Sequence, residues 1–298
     1  MKTRHLPVAA PIHLGLTLGP CRRGRRDPAT RFDDDGFWRA TRTPAGPATE
    51  RVSLRDGGVL VEAWGSGANW LLEAAPALLG LDDEPEAFYA AHPVIRDLHR
   101  RLPGLRLGRT GAVVEALFPS IIEQKVSGKE AWLAYAAIVR RYGEPAPGPA
   151  RLTLPPSPER LAGIPSYDLH PLGVERRRAE TLRRACRAAR RMEEITSMSF
   201  EDAHRRLRAI PGVGVWTAAE VARVALGDPD AVSIGDYHLK NQVAWILAGE
   251  PRATDERMLE LLEPYRGQRA RAIRLIEASG VTAPRYGPRK PIRRLREI

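Results

Sequence analysis

The sequence predicts an α+β fold, in which a small antiparallel β-rich unit is followed by an all-α bundle. Up to residue 83, short apolar–polar alternations are separated by turns rich in Gly, Pro and Asp, as in antiparallel strands. From residue 84 onward, apolar residues recur at the spacing of amphipathic helices. We therefore predict an N-terminal α+β domain over 1–83 and a helical domain over 84–281.

The N-terminal unit is expected to contain strands covered by one helix. Every second residue is apolar in the segment 12–18, which indicates a strand. Further strands are predicted at 37–43, 51–54 and 59–64, and the last two form a hairpin around the Asp-Gly-Gly turn at 56–58. The segment 70–81 is expected to be helical, although Pro76 interrupts it.

The helical domain is expected to contain short helices joined by turns. The segment 87–101 is predicted to form one or two short helices, with Pro93 in a first turn, and a helix is predicted to start at 159–162. The other predicted ranges are 111–124, 128–142, 176–192, 200–209, 216–226, 254–262 and 267–279, with a further helix beginning near Tyr237. The Pro-rich segment 144–158 is predicted to be a surface loop. The Pro- and Arg-rich tail 282–298 lacks apolar periodicity and is predicted to be disordered.

The charge balance favours nucleic acid as a partner. Lys and Arg total 47 and Asp and Glu total 36, a net charge of +11, and most of the excess is Arg. Arg binds phosphate groups through two parallel hydrogen bonds, which makes it the common residue of nucleic-acid surfaces. A GC-rich genome that favours Arg, Ala, Gly and Pro codons is the competing explanation of the same composition.

Cysteine usage and hydropathy exclude several classes of protein. Cys21 and Cys186 lie far apart, so they form neither a disulfide framework nor a zinc site, and they cannot supply a four-cysteine iron–sulfur cluster. The sequence has no apolar run close to 18 residues, and we expect no contact with a membrane. Pro7, Pro11 and His13 interrupt the faint resemblance of 6–18 to a signal peptide, so we expect a cytoplasmic protein.

The most informative motif is a tight hairpin between two predicted helices, Ile210-Pro-Gly-Val-Gly-Val-Trp-Thr217. Gly212 and Gly214 can adopt positive φ and leave their backbone N–H groups uncovered. The hairpin opens the second helix, whose first free N–H groups and positive dipole end attract an anion. The segment 210–217 is therefore a candidate phosphate site, although such a motif on its own is more often an ordinary turn.

A single carboxylate, Asp236, lies 22 residues after Gly214 and just ahead of the next predicted helix. On its own, such an Asp is more often a helix N-cap. The cap does not exclude catalysis, because a carboxylate at a helix N-terminus stays ionised. The conjunction of a phosphate site with a carboxylate at this spacing points to chemistry on nucleic acid.

Four blocks in order resemble the helix-hairpin-helix DNA glycosylase superfamily, and in particular its bacterial 3-methyladenine DNA glycosylase II (AlkA) type. The blocks are Leu102-Pro-Gly-Leu-Arg-Leu107, Ile121-Ile-Glu-Gln-Lys-Val-Ser127, Leu172-Gly-Val-Glu-Arg-Arg-Arg-Ala179 and the segment 211–240. The resemblance covers 100–280 well. It implies a TBP-like N-terminal unit and a bacterial, nucleoid-associated protein that acts as a monomer on double-stranded DNA containing a damaged base.

The resemblance also implies roles for individual residues. Asp236 would stabilise the positive sugar formed as the N-glycosidic bond breaks, and would orient water. Contacts to DNA are expected from Gln124, Lys125, Ser127, Gly212, Val213, Gly214 and Thr217, with Lys125 where the family places an apolar wedge. No cofactor is required. A Na⁺ or K⁺ ion bound by the carbonyl groups of Arg208, Ile210 and Val213 is a further implication.

The pocket for the flipped base is expected to contain Trp216, Tyr237, Glu220 and Arg274. Trp216 stands where bifunctional members of the superfamily carry a nucleophilic Lys, which implies a monofunctional enzyme without AP-lyase activity; alternatively, Trp216 is a core tryptophan. Glu220 replaces an expected Tyr and Arg274 an expected Trp. We expect these two charges to pair with each other, because an uncompensated buried charge is costly; the alternative is that both face solvent.

The sequence thus favours a DNA glycosylase that excises alkylated purines such as 3-methyladenine in base excision repair. Two alternatives have the same fold: a lesion-binding protein with little or no catalysis, and a glycosylase for hypoxanthine or uracil. A Pro- and Arg-rich regulatory or structural protein bound to nucleic acid is a third alternative, but it leaves the ordered middle of the chain unexplained.

Overall fold

The computed structural model describes residues 1–55 and 57–284, and its N-terminal part contains a five-stranded antiparallel sheet. The strands are β1 (Lys2–Pro7), β2 (Thr30–Asp33), β3 (Gly36–Thr43), β4 (Gly46–Arg55) and β5 (Gly58–Gly65), in the spatial order β1-β5-β4-β3-β2. The predicted strands at 37–43, 51–54 and 59–64 are confirmed as parts of β3, β4 and β5. Strand β1 escaped prediction because it is an edge strand in which only Leu6 is buried.

The strand predicted at 12–18 is wrong, because Leu14–Leu18 forms a short helix, α1. His13 caps it: its Nδ1 accepts a hydrogen bond of 3.2 Å from the Leu16 N–H. The alternation arises because the apolar side chains serve two different cores. Leu14 and Leu18 pack with the sheet, whereas Leu16 packs with the C-terminal helices.

Both faces of the sheet are covered. Helix α2 (Ala68–Leu78) packs on one face, where its Ala75 contributes to the same apolar cluster as Phe37 and Val52. On the other face, Trp38 stacks on Trp64 at 5.5 Å between ring centroids, and the segment 144–158 packs over this face. That segment contains the two-residue strands β6 (Glu144–Pro145) and β7 (Thr153–Leu154) and buries Leu152 and Leu154. The predicted surface loop is therefore wrong, because its leucines close the second face of the sheet.

The remainder of the described chain is helical. Its helices are α3 (Pro93–Arg101), α4 (Val113–Ile122), α5 (Gly128–Tyr142), α6 (Pro158–Gly163), α7 (Ser166–Leu169), α8 (Arg176–Arg187), α9 (Ala189–Glu193), α10 (Phe200–Arg208), α11 (Val215–Val221), α12 (Leu239–Ala248), α13 (Asp255–Leu262) and α14 (Arg269–Ala278). The helix predicted over 176–192 breaks at Ala188, and α11 continues as a π-helical turn, Ala222–Leu226. None of the described helices is long and apolar enough to cross a membrane.

The helices form two apolar cores with an open cleft between them. One core is built mainly from α4, α5, α8, α10 and α11. The other is built from α3, α12, α13 and α14. Residues from both cores line the cleft, together with α1 from the N-terminal part. The tail predicted to be disordered is 282–298, and its residues 285–298 lie outside the described part of the chain.

A cluster of buried charged side chains connects the sheet to α4. Arg39 on β3 donates to Glu50 on β4 at 3.1 Å and to Glu115 on α4 at 3.0 Å. Its side chain is only 2% exposed, and that of Glu50 is fully buried. Burial raises the pKa of Glu50 to about 7, although Arg39 opposes the shift. The orientation of the sheet relative to α4 therefore depends on an ion pair shielded from water.

Candidate active site

The hairpin between α10 and α11 is a tight turn whose two glycines differ. The Val213 N–H donates to the Ile210 carbonyl at 2.9 Å and closes the turn. Gly212 has φ +100°, and a Cβ at this position would lie 2.2 Å from the Thr181 hydroxyl. Gly214 has φ −97° and open space around its Cα. The expectation of positive φ therefore holds for Gly212 and is wrong for Gly214, whose missing side chain leaves room for something outside the protein.

The loop that precedes α5 is tied to this hairpin by one amide. Gln124 donates from Nε2 to the Gly212 carbonyl at 3.0 Å and to the Thr217 hydroxyl at 2.9 Å. Lys125 follows with φ +58°, a conformation that non-glycine residues rarely adopt, and is exposed to the cleft. Ser127 forms a reciprocal capping box with Glu130 at the start of α5. Gln124 and Ser127 thus shape the loop, and the loop presents Lys125.

Asp236 is held by donors from two directions. Its Oδ1 accepts from the backbone N–H groups of His238 at 2.7 Å and Leu239 at 2.8 Å, ahead of α12. Its Oδ2 accepts from the indole N–H of Trp216 on α11 at 3.1 Å. The carboxylate therefore caps α12 and, at the same time, is fixed relative to the hairpin helix. The sequence left open whether Asp236 is a helix cap or a catalytic carboxylate, and this geometry allows it to be both.

The two aromatic candidates occupy different depths of the cleft. Trp216 is half-buried and points its indole N–H at Asp236. Tyr237 is 79% exposed, and its ring packs edge-on against His238 at 4.9 Å between centroids. Trp216 therefore forms part of the wall beside the carboxylate, whereas Tyr237 lies at the rim.

Glu220 and Arg274 both line the cleft, but the expected direct pair between them is wrong. Glu220 accepts from Arg223 at 3.1 Å and from the Ser233 hydroxyl. Arg223 also binds Glu277 at 2.8 Å, and Glu277 in turn binds Arg274 at 2.8 Å. Although burial alone would raise it, Arg223 and Arg274 hold the pKa of Glu277 below its usual value. Glu220 and Arg274 are thus the two ends of a chain of four alternating charges, in which Arg223 and Glu277 lie between them. Arg223 reaches Glu220 because it lies one helical turn after it.

Several residues that line the cleft had no role assigned from the sequence, among them Arg23, Glu123 and Trp132. The guanidinium of Arg23 lies 3.9 Å from the Glu123 carboxylate, and their side chains are 13% and 15% exposed. Trp132 on α5 lies against Gly24 and is 42% exposed. Glu123 precedes Gln124 in the family-like block 121–127, and Arg23 lies in a basic segment. The sequence around Glu123 and around Arg23 has no periodic pattern that would indicate which side chains face the cleft.

The structure brings most of the predicted site residues to this cleft. Those lining it are Gln124, Lys125, Ser127, Gly212, Gly214, Trp216, Thr217, Glu220, Asp236, Tyr237 and Arg274. The side chain of Val213 is buried in the first helical core instead. Of the carbonyl groups of Arg208, Ile210 and Val213, which were expected to bind a monovalent cation, that of Ile210 accepts the Val213 N–H and keeps one lone pair. These oxygens suit a hard cation, and the ion stays a prediction.

The chain is similar in sequence to known DNA repair proteins. The family described as "HhH-GPD superfamily base excision DNA repair protein" matches residues 118–266, which is half of the chain. The chain is 34% identical over 171 residues to the "Probable bifunctional transcriptional activator/DNA repair enzyme AlkA" of Mycobacterium tuberculosis, covering 55% of this chain and 34% of that protein. It is 30% identical over 159 residues to "DNA-3-methyladenine glycosylase 2" of Escherichia coli, covering 52% and 56%. The match thus spans about a third to a half of these relatives.

The fold is also that of solved glycosylases. The structure of a 3-methyladenine DNA-glycosylase from Archaeoglobus fulgidus is similar with a TM-score of 0.77, 19% identity and coverage of 94% of this chain and 99% of that one. An 8-oxoguanine glycosylase/lyase from Clostridium acetobutylicum, in complex with double-stranded DNA, has a TM-score of 0.71 at 12% identity, covering 93% and 99%. The hairpin, the carboxylate that follows it and the family match lead to one conclusion: this chain belongs to the HhH-GPD superfamily of base excision DNA repair proteins.

Proposed function

We propose that this protein is a monofunctional DNA glycosylase that excises alkylated purines from double-stranded DNA, acting as a monomer. The observation that carries the proposal is Asp236, fixed in the cleft by two backbone donors and by the indole of Trp216. The names of the relatives support the same reaction. The match covers only part of each relative, so the activity of the whole protein is itself part of this proposal.

DNA binding would begin with phosphate contacts. The N–H groups of the first turn of α11 have no intrahelical acceptors, and Gly214 leaves them accessible. Such contacts are independent of sequence and allow the protein to scan the duplex. A damaged nucleotide would then rotate into the cleft, and the aliphatic part of Lys125 would fill the gap in the stack.

Cleavage would rest on electrostatic stabilisation by Asp236. Breaking the N-glycosidic bond develops positive charge on the sugar, which an adjacent carboxylate stabilises. The three hydrogen bonds hold this carboxylate in place before the reaction, so that no reorganisation is needed as charge develops. A water molecule oriented by the same group would then add to C1′ and leave an abasic site.

We do not expect strand cleavage, because the residue that would carry the Schiff-base amine is absent from its position in the hairpin. Trp216 stands at the position of the Schiff-base lysine, and an indole cannot form this adduct. Lys240, the lysine nearest to Asp236 in sequence, is paired with Asp255 at 3.2 Å. Borohydride should therefore trap no covalent complex with lesion DNA; an adduct that maps to a lysine of the cleft would contradict the monofunctional assignment.

The decisive experiment compares base release from methylated DNA by the wild type and Asp236→Asn. Asn preserves the helix cap but cannot offset positive charge, so we expect excision to fall by about 100-fold or more. DNA affinity should remain, since it depends on phosphate contacts. In Asp236→Asn, the amide nitrogen would face the indole N–H of Trp216, and the hydrogen bond between the two residues would be lost. Trp216→Phe removes the same hydrogen bond but keeps the carboxylate. Its free energy of unfolding therefore shows how much of any loss of stability in Asp236→Asn comes from that hydrogen bond.

Two outcomes would count against the proposal. Near-wild-type turnover by Asp236→Asn would remove this carboxylate from the mechanism. A wild type that binds lesion DNA tightly but releases no base from alkylpurine, hypoxanthine or uracil substrates would instead indicate a lesion-binding protein.

A further inference from the structure

The cleft contains a loosely joined ion pair, Arg23 and Glu123, close to Asp236. The covalent neighbour of Glu123, Gln124, is hydrogen-bonded to Thr217, and the neighbour of Thr217, Trp216, is hydrogen-bonded to Asp236. Glu123 and Asp236 are near enough for the charge of one to act on the other. The pair therefore lies in the same cleft as the candidate catalytic carboxylate and near to it.

This pair has hydrogen-bonding capacity to spare. The 3.9 Å separation of the guanidinium from the carboxylate is longer than a hydrogen bond, although both side chains are largely buried. By contrast, Arg223 and Glu220 in the same cleft are within 3.1 Å, and both have further partners. Burial raises the pKa of Glu123, and Glu220 adds to the shift. Arg23 and a side-chain hydrogen bond from Trp132 oppose it, so part of the accepting capacity of this carboxylate is already used. A buried ion pair is costly unless hydrogen bonds satisfy its remaining donors and acceptors, and a ligand can supply those that Trp132 does not.

A donor next to an acceptor matches one edge of a 6-oxopurine. The Watson–Crick edge of guanine places the O6 acceptor beside the N1–H donor and, next to that, the 2-amino group. Hypoxanthine presents the same O6 and N1–H without the amino group. Adenine held in the same orientation has the opposite pattern, with a 6-amino donor beside a bare N1 acceptor, so it would set donor against guanidinium and lone pair against carboxylate.

We propose that Arg23 and Glu123 determine specificity by reading the Watson–Crick edge of a 6-oxopurine, with Arg23 donating to O6 and Glu123 accepting from N1–H. The inference rests on the proposed glycosylase function and narrows its substrates. Bases of the 7-methylguanine and hypoxanthine type are selected over the 3-methyladenine type. Trp216 and Trp132 contribute aromatic surface in the same cleft, and stacking on them does not distinguish between purines.

The test is the ratio of bases released, because a merely structural role would lower all rates together. DNA treated with a methylating agent contains 7-methylguanine and 3-methyladenine in one substrate, so chromatography measures both rates in one reaction. A duplex with a single hypoxanthine supplies a neutral 6-oxopurine. We expect Glu123→Gln and Arg23→Met to lower release of 7-methylguanine and hypoxanthine by about 10- to 100-fold, and that of 3-methyladenine by several-fold less.

The outcomes separate the explanations. Equal loss on all three bases, or no change in the ratios, overturns the inference. Loss on both methylpurines with hypoxanthine unaffected would show that Glu123 only attracts cationic bases, and this also overturns it. Glu263→Gln, which removes an exposed carboxylate outside the cleft, is the matched control and should leave all rates unchanged.

A binding measurement keeps the inference testable if the wild type releases no base, an outcome that would refute the proposed function alone. Duplexes carrying uncleavable 2′-fluorinated 7-methylguanosine or 3-deaza-3-methyladenosine give a ratio of dissociation constants. The wild type should favour the 7-methylguanosine duplex, and Glu123→Gln should lower that ratio by about 10-fold or more. Equal ratios for the two proteins overturn the inference.

Discussion

The two hairpin glycines should respond to the same substitution in opposite ways. At Gly212, an Ala side chain would meet the Thr181 hydroxyl at 2.2 Å and its methyl group at 2.9 Å, in a backbone with φ +100°. At Gly214, the same methyl group meets nothing within 4 Å, and φ is −97°. Gly212→Ala therefore tests the fold, and Gly214→Ala tests what approaches the hairpin from outside.

The magnitudes follow from these contacts. Positive φ costs a residue with a Cβ about 1–2 kcal/mol, and overpacking adds about 1–3 kcal/mol. A gain of about 0.4–1 kcal/mol from the stiffer unfolded chain offsets part of this. We expect Gly212→Ala to lower the free energy of unfolding by about 2–4 kcal/mol. Gly214→Ala should leave it unchanged or raise it by up to about 1 kcal/mol.

DNA binding should show the reverse order. A methyl group at Gly214 would stand between the first N–H groups of α11 and a phosphate, and the loss of one hydrogen bond to a charged group costs roughly 1.5 kcal/mol. We expect Gly214→Ala to raise the dissociation constant for duplex DNA of any sequence by about 10-fold. Fluorescence anisotropy at a fixed salt concentration measures it, because the affinity depends on ionic strength.

A double-mutant cycle isolates the clash from the backbone strain. Thr181→Ala removes both atoms that the new Cβ would approach most closely, so Gly212→Ala should cost about 1–2 kcal/mol less in that background. Urea denaturation of the four proteins provides the coupling energy. Additive effects of the two substitutions would refute the steric explanation, and wild-type DNA affinity of Gly214→Ala would refute a phosphate contact at this end of the hairpin.

Two further predictions concern the cluster that joins the sheet to α4. At pH 8, where Glu50 is ionised, Arg39→Met should lower the free energy of unfolding by about 3–5 kcal/mol, because it leaves Glu50 and Glu115 without their cation; a loss below 1 kcal/mol in urea denaturation would show that water reaches these carboxylates. Glu50 holds its proton up to pH about 7 when folded and releases it near 4.5 when unfolded, so the folded chain binds more protons between these values. The free energy of unfolding should consequently fall by on the order of 2–3 kcal/mol as pH rises from 4.5 to 7, and Glu50→Gln should remove this decline; parallel pH profiles for the two proteins would contradict it.

The positions of the site motifs were predictable because each depends on local chain geometry. The Pro-Gly-Val-Gly turn needs only its own residues and the ends of two helices. Asp236 can cap α12 because it stands a fixed number of bonds before the first helical N–H groups. The strands β3 to β5 were predictable for the same reason, since alternation and turn residues are adjacent in the chain.

Contacts between distant segments could not be predicted in this way. The misassigned α1 and the segment 144–158 carry apolar residues whose burial depends on which core or sheet face reaches them. Likewise, Arg223 and Glu277 came between Glu220 and Arg274 only when α11 and α14 packed together. The pairing of Arg23 with Glu123 joins segments 100 residues apart.

The sequence alone therefore determined the class of fold, the hairpin and the carboxylate that follows it, because short-range geometry leaves few alternatives for such motifs. The tertiary structure alone decided which charges neutralise each other and which charged side chains line the cleft. The physical reason is that pairing energies between distant groups depend on separation and burial, and packing sets both.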